Sequence, residues 1–287
     1  MQIRTTLLFL IAAGLASAQQ ANVFTARQII TLIRQHVGVP WHSDTVDTFK
    51  AGDPDTPVTG IATTMMATYA VLERAAAQNA NLIITHEPTF YSHEDKTASF
   101  EAANDPVWRD KEAFIKEHHL VVWRFHDHWH MRQPDGILSG MAHALLWERY
   151  QSATAPNLFL LPQNTLNSLA RSIASKIGIR VLRVVGNPEL QVTRVALMPG
   201  AAGTDEHLKL LRRNDVQVLV IGEVPEWETI EYVADAAAEG KPKALILMGH
   251  IPSEQAGMLT CADWLRTFIK EVPVTFIPTA EPFWMPQ

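Results

Sequence analysis

The sequence predicts an α/β fold, on two observations. Apolar residues alternate along most of the chain between helical spacing and short strand-like runs, the pattern of layered helices and strands. The same unit, a helix followed by a buried-type strand, recurs through both halves.

Taken in order, Thr25 is placed to cap a helix carrying Ile29, Ile30 and Ile33, and a second helix is expected from about Met66 to Gln78. The strand Asn81 to Thr85 follows. A helix near Val107 to Glu117 leads into the strand Leu120 to Phe125, and another helix starts around Asp135-Gly136. A helix from Thr165 to Lys176 precedes two strands, Arg180 to Val185 and Gln191 to Met198. Thr204-Asp205-Glu206 reads as a helix start, Val216 to Ile221 as a strand, and Glu226 to Ala238 as a helix closed by Gly240. Lys243 to Met248 is the last expected strand, and Pro252 opens the next helix where its missing N–H is harmless. The least patterned stretch, Gln151 to Gln163, holds Pro156 and Pro162. It reads either as a boundary between lobes or as a surface loop within one domain.

Residues 1–18 have the organisation of a secretory signal, with Arg4 as the charged region, Leu7 to Leu15 as the apolar run and Ala16-Ser17-Ala18 as the cleavage site. Export to a periplasmic or extracellular space is therefore expected. The apolar run is too short to span a bilayer, so no membrane attachment is expected after cleavage. The single cysteine, Cys261, leaves no internal disulfide to form in an oxidising compartment. A formal charge of −6 with no basic run offers no footprint for nucleic acid.

The chemistry is carried by the histidines. Three apolar strands end in clusters of potential metal ligands, the position where α/β folds assemble their sites. They are His86-Glu87 before Pro88, His126-Asp127-His128-Trp129-His130, and Gly249-His250 with Glu254 four residues on. Imidazole and carboxylate without thiolate suit Zn²⁺, Fe²⁺ or Mn²⁺. If residues 126–130 stay extended, His126, His128 and His130 share one face, with Asp127 and Trp129 on the other. Singly, His86-Glu87 reads as a hydrogen-bonded loop pair, and Trp129 as a core residue. His36, His42, His93, His118, His119, His143 and His207 read as surface or loop residues. No zincin helix, nucleophile elbow or phosphate-cradling loop is present in the sequence.

From Val23 to the C-terminus these blocks resemble the Nif-three-like dinuclear metal-centre family, some members of which are named type 2 GTP cyclohydrolase I. The resemblance rests on Ala80 to Pro88, Leu120 to His130, Asn187 to Gly203, Val218 to Glu223, and Gly249-His250 with Ser253-Glu254. It implies two α/β lobes with mixed sheets flanked by helices, here residues 19–155 and 156–287 within one family-level domain. It also implies a metal site in the cleft between the lobes, and a homo-oligomer, in the family a hexameric ring. The family's ligand set maps onto His86, Glu87, His130, His250 and Glu254, with His126 matching a further histidine. Glu87 stands where the family has His, and His130 where it has Asp. The exchange keeps three imidazoles and two carboxylates. The family's glycine-rich segment is altered to Met198-Pro199-Gly200-Ala201-Ala202-Gly203, and a later histidine is replaced by the Glu226-Trp227-Glu228 stretch.

The expectation is thus two divalent transition metal ions, with Glu254 as bridge and Asp127 orienting a ligand imidazole. Hydrolysis of a small-molecule substrate is the leading functional reading. A non-catalytic metal-binding or scaffold role is the alternative, and incidental histidines on an α/β scaffold are the third.

Overall fold

The computed structural model describes residues 24–286; the expected signal peptide lies outside them. The strands are β1 (Phe49–Ala51), β2 (Ile61–Met66), β3 (Leu82–Glu87), β4 (Val121–Arg124), β5 (Leu158–Thr165), β6 (Arg183–Val185), β7 (Gln191–Met198), β8 (Val218–Ile221), β9 (Ala244–Leu247) and β10 (Val274–Phe276). The helices are α1 (Ala26–His36), α2 (Tyr69–Ala77), α3 (Ala98–Ala102), α4 (Pro106–Glu117), α5 (Asp127–Met131), α6 (Gly136–Ala144), α7 (Leu166–Ile177), α8 (Thr204–Leu211), α9 (Glu231–Ala238) and α10 (His250–Phe268).

Two mixed sheets result, ordered β1-β4-β3-β2-β10 and β5-β7-β8-β9-β6. In the first, β10, β2, β3 and β4 run parallel and β1 closes the edge antiparallel. In the second, β7, β8 and β9 are parallel and flanked by antiparallel β5 and β6. The central strands β3, β4, β8 and β9 are buried along their length, as strands covered by helices on both faces require.

Several expectations shift. The helix expected from Met66 starts only at Tyr69, and Met66 ends β2. That strand is masked in the sequence by Thr63 and Thr64, whose hydroxyls are buried but satisfied: Thr63 donates to the Met258 carbonyl at 2.8 Å, and Thr64 lies 3.0 Å from the Thr279 hydroxyl. The strand expected at Arg180 begins at Arg183. The helix expected over 226–238 opens with a wide turn at Glu226–Ile230 before α9.

The chain also does not divide between its sheets at residue 155. Residues 156–287, expected as the second lobe, return to the first: β10 pairs in parallel with β2, and α10 buries Met258, Cys261, Ala262 and Leu265 in the first lobe's core. The helix α6 makes the reverse crossing, with Met141 and Ala142 in the second lobe's core.

The two crossing helices meet through glycines. A Cβ on Gly257 would lie 2.6 Å from the Ile137 Cα, and one on Gly140 would lie 2.6 Å from the Gly257 Cα. This backbone-on-backbone contact fixes α10, which begins at His250 and carries Glu254, against the α5–α6 segment. Gly257→Ala should therefore force the helices apart, at a cost of about 1–3 kcal/mol typical of overpacking. Thermal denaturation should show a midpoint several degrees lower; an unchanged midpoint would mean that the helices do not touch here.

Candidate metal centre

The strand β3 reaches further than its apolar run, so that His86 and Glu87 are its last residues rather than the turn after it. His86 is fully buried. Its Nδ1 donates to the Phe125 carbonyl at 3.1 Å, and its Nε2 is buried with no hydrogen-bond partner. Burial, reinforced by His130 and His126, holds the His86 pKa well below the ordinary imidazole value, so the ring is neutral and its Nε2 lone pair is free to bind a cation.

After β4 the chain does not stay extended. The buried Asp47 carboxylate accepts the backbone N–H groups of His126, Asp127 and His128 at 2.6, 3.0 and 2.9 Å, which winds residues 127–131 into α5. The expected shared face for 126, 128 and 130 is therefore replaced by helical spacing, in which His126 and His130 lie one turn apart. His128 points the other way. Its Nδ1 lies 2.7 Å from Asp47, its Nε2 accepts the His42 N–H at 2.9 Å, and its ring stacks on Trp41 at 3.7 Å. Both nitrogens are used, so His128 belongs to the core. Trp129 is also core, as expected.

The remaining imidazoles are held in the same manner as His86. His126 Nδ1 is 2.9 Å from Asp127, His130 Nδ1 is 3.0 Å from Asp135, and His250 Nδ1 is 3.3 Å from Glu223. With Nδ1 engaged on all four rings, Nε2 is the nitrogen left for a ligand, an arrangement typical of metal-binding histidines. Asp127 takes the orienting position expected for it, fixed by the Thr45 hydroxyl at 2.7 Å and the Val46 N–H at 3.1 Å. Its hydrogen bond to His126, against the opposing effect of burial, holds its carboxyl well below the usual range. Asp135 and Glu223, which hold His130 and His250, carry no signal of that role in the sequence. Asp135 caps α6 through Ile137 and Leu138, as the sequence suggests, while its second oxygen holds His130.

The free nitrogens and two carboxylates form a ring of donors. Glu254 Oε2 lies 3.6 Å from His86 Nε2 and 3.2 Å from His250 Nε2. Glu87 Oε1 lies 3.4 Å from His250 Nε2 and 3.6 Å from His126 Nε2. Glu87 Oε2 is taken by the buried Arg124 guanidinium at 3.1 Å, which leaves one oxygen facing inward. Glu254 is 2 % exposed, and its Oε2 has no hydrogen-bond partner. The other Glu254 oxygen rests against Gly200, where a Cβ would intrude to 2.2 Å and the positive φ of 74° suits glycine.

All six side chains singled out in the sequence thus surround one space: Glu87, His126, His130, His250 and Glu254 line a cavity of about 260 Å³ in the cleft between the lobes, and His86 backs it. The set can hold a metal ion through two groupings, His86 with His126 and His130, and His86 with Glu87 and Glu254. Two buried acceptor atoms without partners, amid imidazoles and carboxylates, fit a borderline divalent cation. Burial disfavours charge on His250, but its contact with Glu223 and the adjoining carboxylates of Glu254 and Glu87 push its pKa up to about 12. In the protein without metal, that imidazolium supplies the positive charge this carboxylate cluster requires.

The fold is similar to several solved structures. A Staphylococcus aureus protein, SA1388, superposes with a TM-score of 0.71 at 17% identity, covering 91% of this chain and 99% of that one. A Bacillus cereus protein related to NIF3 gives 0.71 at 13% identity, over 92% and 99%. The protein ybgI gives 0.68 at 20% identity, over 91% and 100%. No match is found among curated proteins. The sequence itself, over residues 27–282, matches the Duf34/NIF3 (NGG1p interacting factor 3) family, and the chain belongs to it.

Proposed function

We propose that this protein is an exported, metal-dependent hydrolase. In this reading His86, Glu87, His126, His130, His250 and Glu254 hold two divalent transition ions, Zn²⁺, Fe²⁺ or Mn²⁺. The observation that carries it is the uniform tethering of four imidazoles at Nδ1, three of them by carboxylates and one by a carbonyl. Such tethering raises imidazole basicity and fixes Nε2 toward the cavity. One Nε2 serves one ion, so His86 belongs to only one of its two groupings, and the remaining donors are enough for a second. Glu254, between His86 and His250, is the carboxylate best placed to be shared.

Bound divalent ions would lower the pKa of a coordinated water and polarise a carbonyl or phosphoryl oxygen. The protein's own part is positional. Arg124 fixes Glu87, Asp127 and Asp135 fix the α5 histidines, and Gly200 admits Glu254 to the cleft. A wider cavity of about 480 Å³ shares Glu87 and His250 with the metal cavity, which favours catalysis over storage or scaffolding, since a substrate can reach the ions. Export rests on Arg4, the apolar run and Ala16-Ser17-Ala18, and assembly as a homo-oligomer rests on the family. Among the described residues no helix is long and apolar enough to cross a membrane.

Protein purified without chelator and reconstituted with Zn²⁺, Mn²⁺ or Fe²⁺ should carry up to two ions per chain by elemental analysis. His130→Ala should lower occupancy on the order of 10–100-fold, the range that even the loss of a supporting residue produces. His143→Ala should not change it, because His143 is exposed and paired with Glu148. Equal metal in wild type and His130→Ala would remove His130 from the ligand set. Ester and phosphoester hydrolysis, screened on chromogenic substrates, should vanish on chelation and return with metal; bound metal with no turnover on any of them would favour the binding-protein reading. N-terminal sequencing of protein from its native host should find Gln19 or a neighbour, and a soluble chain beginning at Met1 would exclude export.

A further inference from the structure

The wider cavity beside the metal centre has a chemical character of its own. Glu87, His250 and Glu223 line it where it adjoins the metal cavity, and Tyr91, Ser92 and Lys111 line it as well. Lys111 lies on α4 yet is only 4 % exposed. Its Nζ donates to the Thr89 carbonyl at 2.6 Å, and its other protons have no acceptor among the described residues. No carboxylate lies within ion-pair distance of it there. The Nζ sits 5.3 Å from the centre of the Tyr91 ring and 5.7 Å from that of Phe90. The acid that acts on it, Asp95, lies beyond ion-pair distance and also faces Lys50 and Arg124 at 3.7 and 4.0 Å. The buried ammonium is therefore poorly compensated, which is costly. Burial, against the opposing pull of Asp95, brings its pKa down to about 8.

Tyr91 is placed with equal care. It holds φ at 57°, a left-handed conformation that bulky residues rarely adopt. The turn is clamped by Asp95, whose Oδ1 accepts the N–H groups of Thr89 and Phe90 at 2.6 and 2.7 Å. The ring is 55 % exposed and leans on Phe100 at 5.6 Å, leaving its other side open to the cavity.

We infer that this cavity is the substrate pocket of the proposed hydrolase, that Lys111 is its anion anchor and Tyr91 its aromatic wall, and that the substrate carries one carboxylate or phosphate group on an aromatic or apolar body. The inference rests on the hydrolase reading for the word substrate, but the pocket's selectivity is measurable without turnover. An anion here supplies the directly contacting counter-charge that Lys111 lacks, and a flat apolar group covers the exposed ring of Tyr91. The labile bond of a ligand so held would point toward Glu87 and His250.

The test is calorimetric titration of the full-length, zinc-loaded protein with benzoate, phenylphosphonate, acetate and neutral benzamide, with zinc content measured in each sample. Wild type should bind benzoate or phenylphosphonate at least tenfold more tightly than acetate or benzamide, and whichever of the two binds better identifies the anion. Lys111→Met should reduce the aromatic anion to the affinity of benzamide, Lys111→Arg should retain it, and Tyr91→Ala should reduce it to the affinity of acetate. Zinc content should be the same in all four proteins. Equal benzoate and phenylphosphonate affinity in wild type and Lys111→Met would overturn the assignment, as would wild type that does not prefer an aromatic anion to benzamide. If Lys111→Met loses zinc together with ligand, Lys111 supports the metal site and is not a separate anchor. Absence of zinc from the wild type itself would count against the hydrolase reading while leaving the pocket's selectivity measurable.

Discussion

Everything at the centre of this protein depends on which nitrogen of each imidazole is free. A histidine whose Nδ1–H is committed to a fixed acceptor has one tautomer and one orientation, and here four rings from three separate elements are committed toward one point. The consequence is a pair of buried acceptors that make no hydrogen bond within the protein, His86 Nε2 and Glu254 Oε2, the second compensated only by the His250 ion pair. Leaving such atoms unpaired costs on the order of 1–3 kcal/mol each. A cation removes that cost, which is the thermodynamic case for metal binding at this point in the fold.

The architecture exists to make that convergence rigid. Two candidate ligands end a fully buried parallel strand, two lie one helical turn apart at the cap of α5 and within it, and two lie one turn apart at the start of α10. The first four are fixed through the first sheet and through Asp47, whose single carboxylate starts α5 and holds His128 in the core. The last two are positioned by α10 crossing between the lobes, through the Gly140–Gly257 contact and the Thr63 hydroxyl on Met258. The chain's return to its first sheet through β10 locks this crossing. The lobes therefore share their elements, and the cleft holds donors from both sides.

The donors are legible in the sequence, and of their supports only Asp127, next to His126, is legible with them. His86-Glu87, His126, His130, His250 and Glu254 stand next to apolar runs that any α/β reading marks as strands, and their spacing is local. Others that aim the site are remote: Asp47 lies about eighty positions from His128, and Glu223 lies 27 from His250. No periodicity links such pairs. Strand alternation does not carry past the end of β4 to His128, because a distant carboxylate turns the backbone there into a helix. The strand β2 was missed because Thr63 and Thr64 interrupt an apolar run, and their satisfaction is visible only in three dimensions. Glu87 and His130, from different parts of the chain, take their places in one ring of donors.

The central claim is that metal is bound through Nε2 of the tethered histidines. The most direct measurement is anomalous diffraction at the metal absorption edge from crystals grown with Zn²⁺. The account predicts ion density within about 2.0–2.1 Å of Nε2 of His86, His126, His130 and His250, with Nδ1 of each ring still on its present partner and no density near His128. Density coordinated through Nδ1, or confined to surface histidines such as His143, would contradict it.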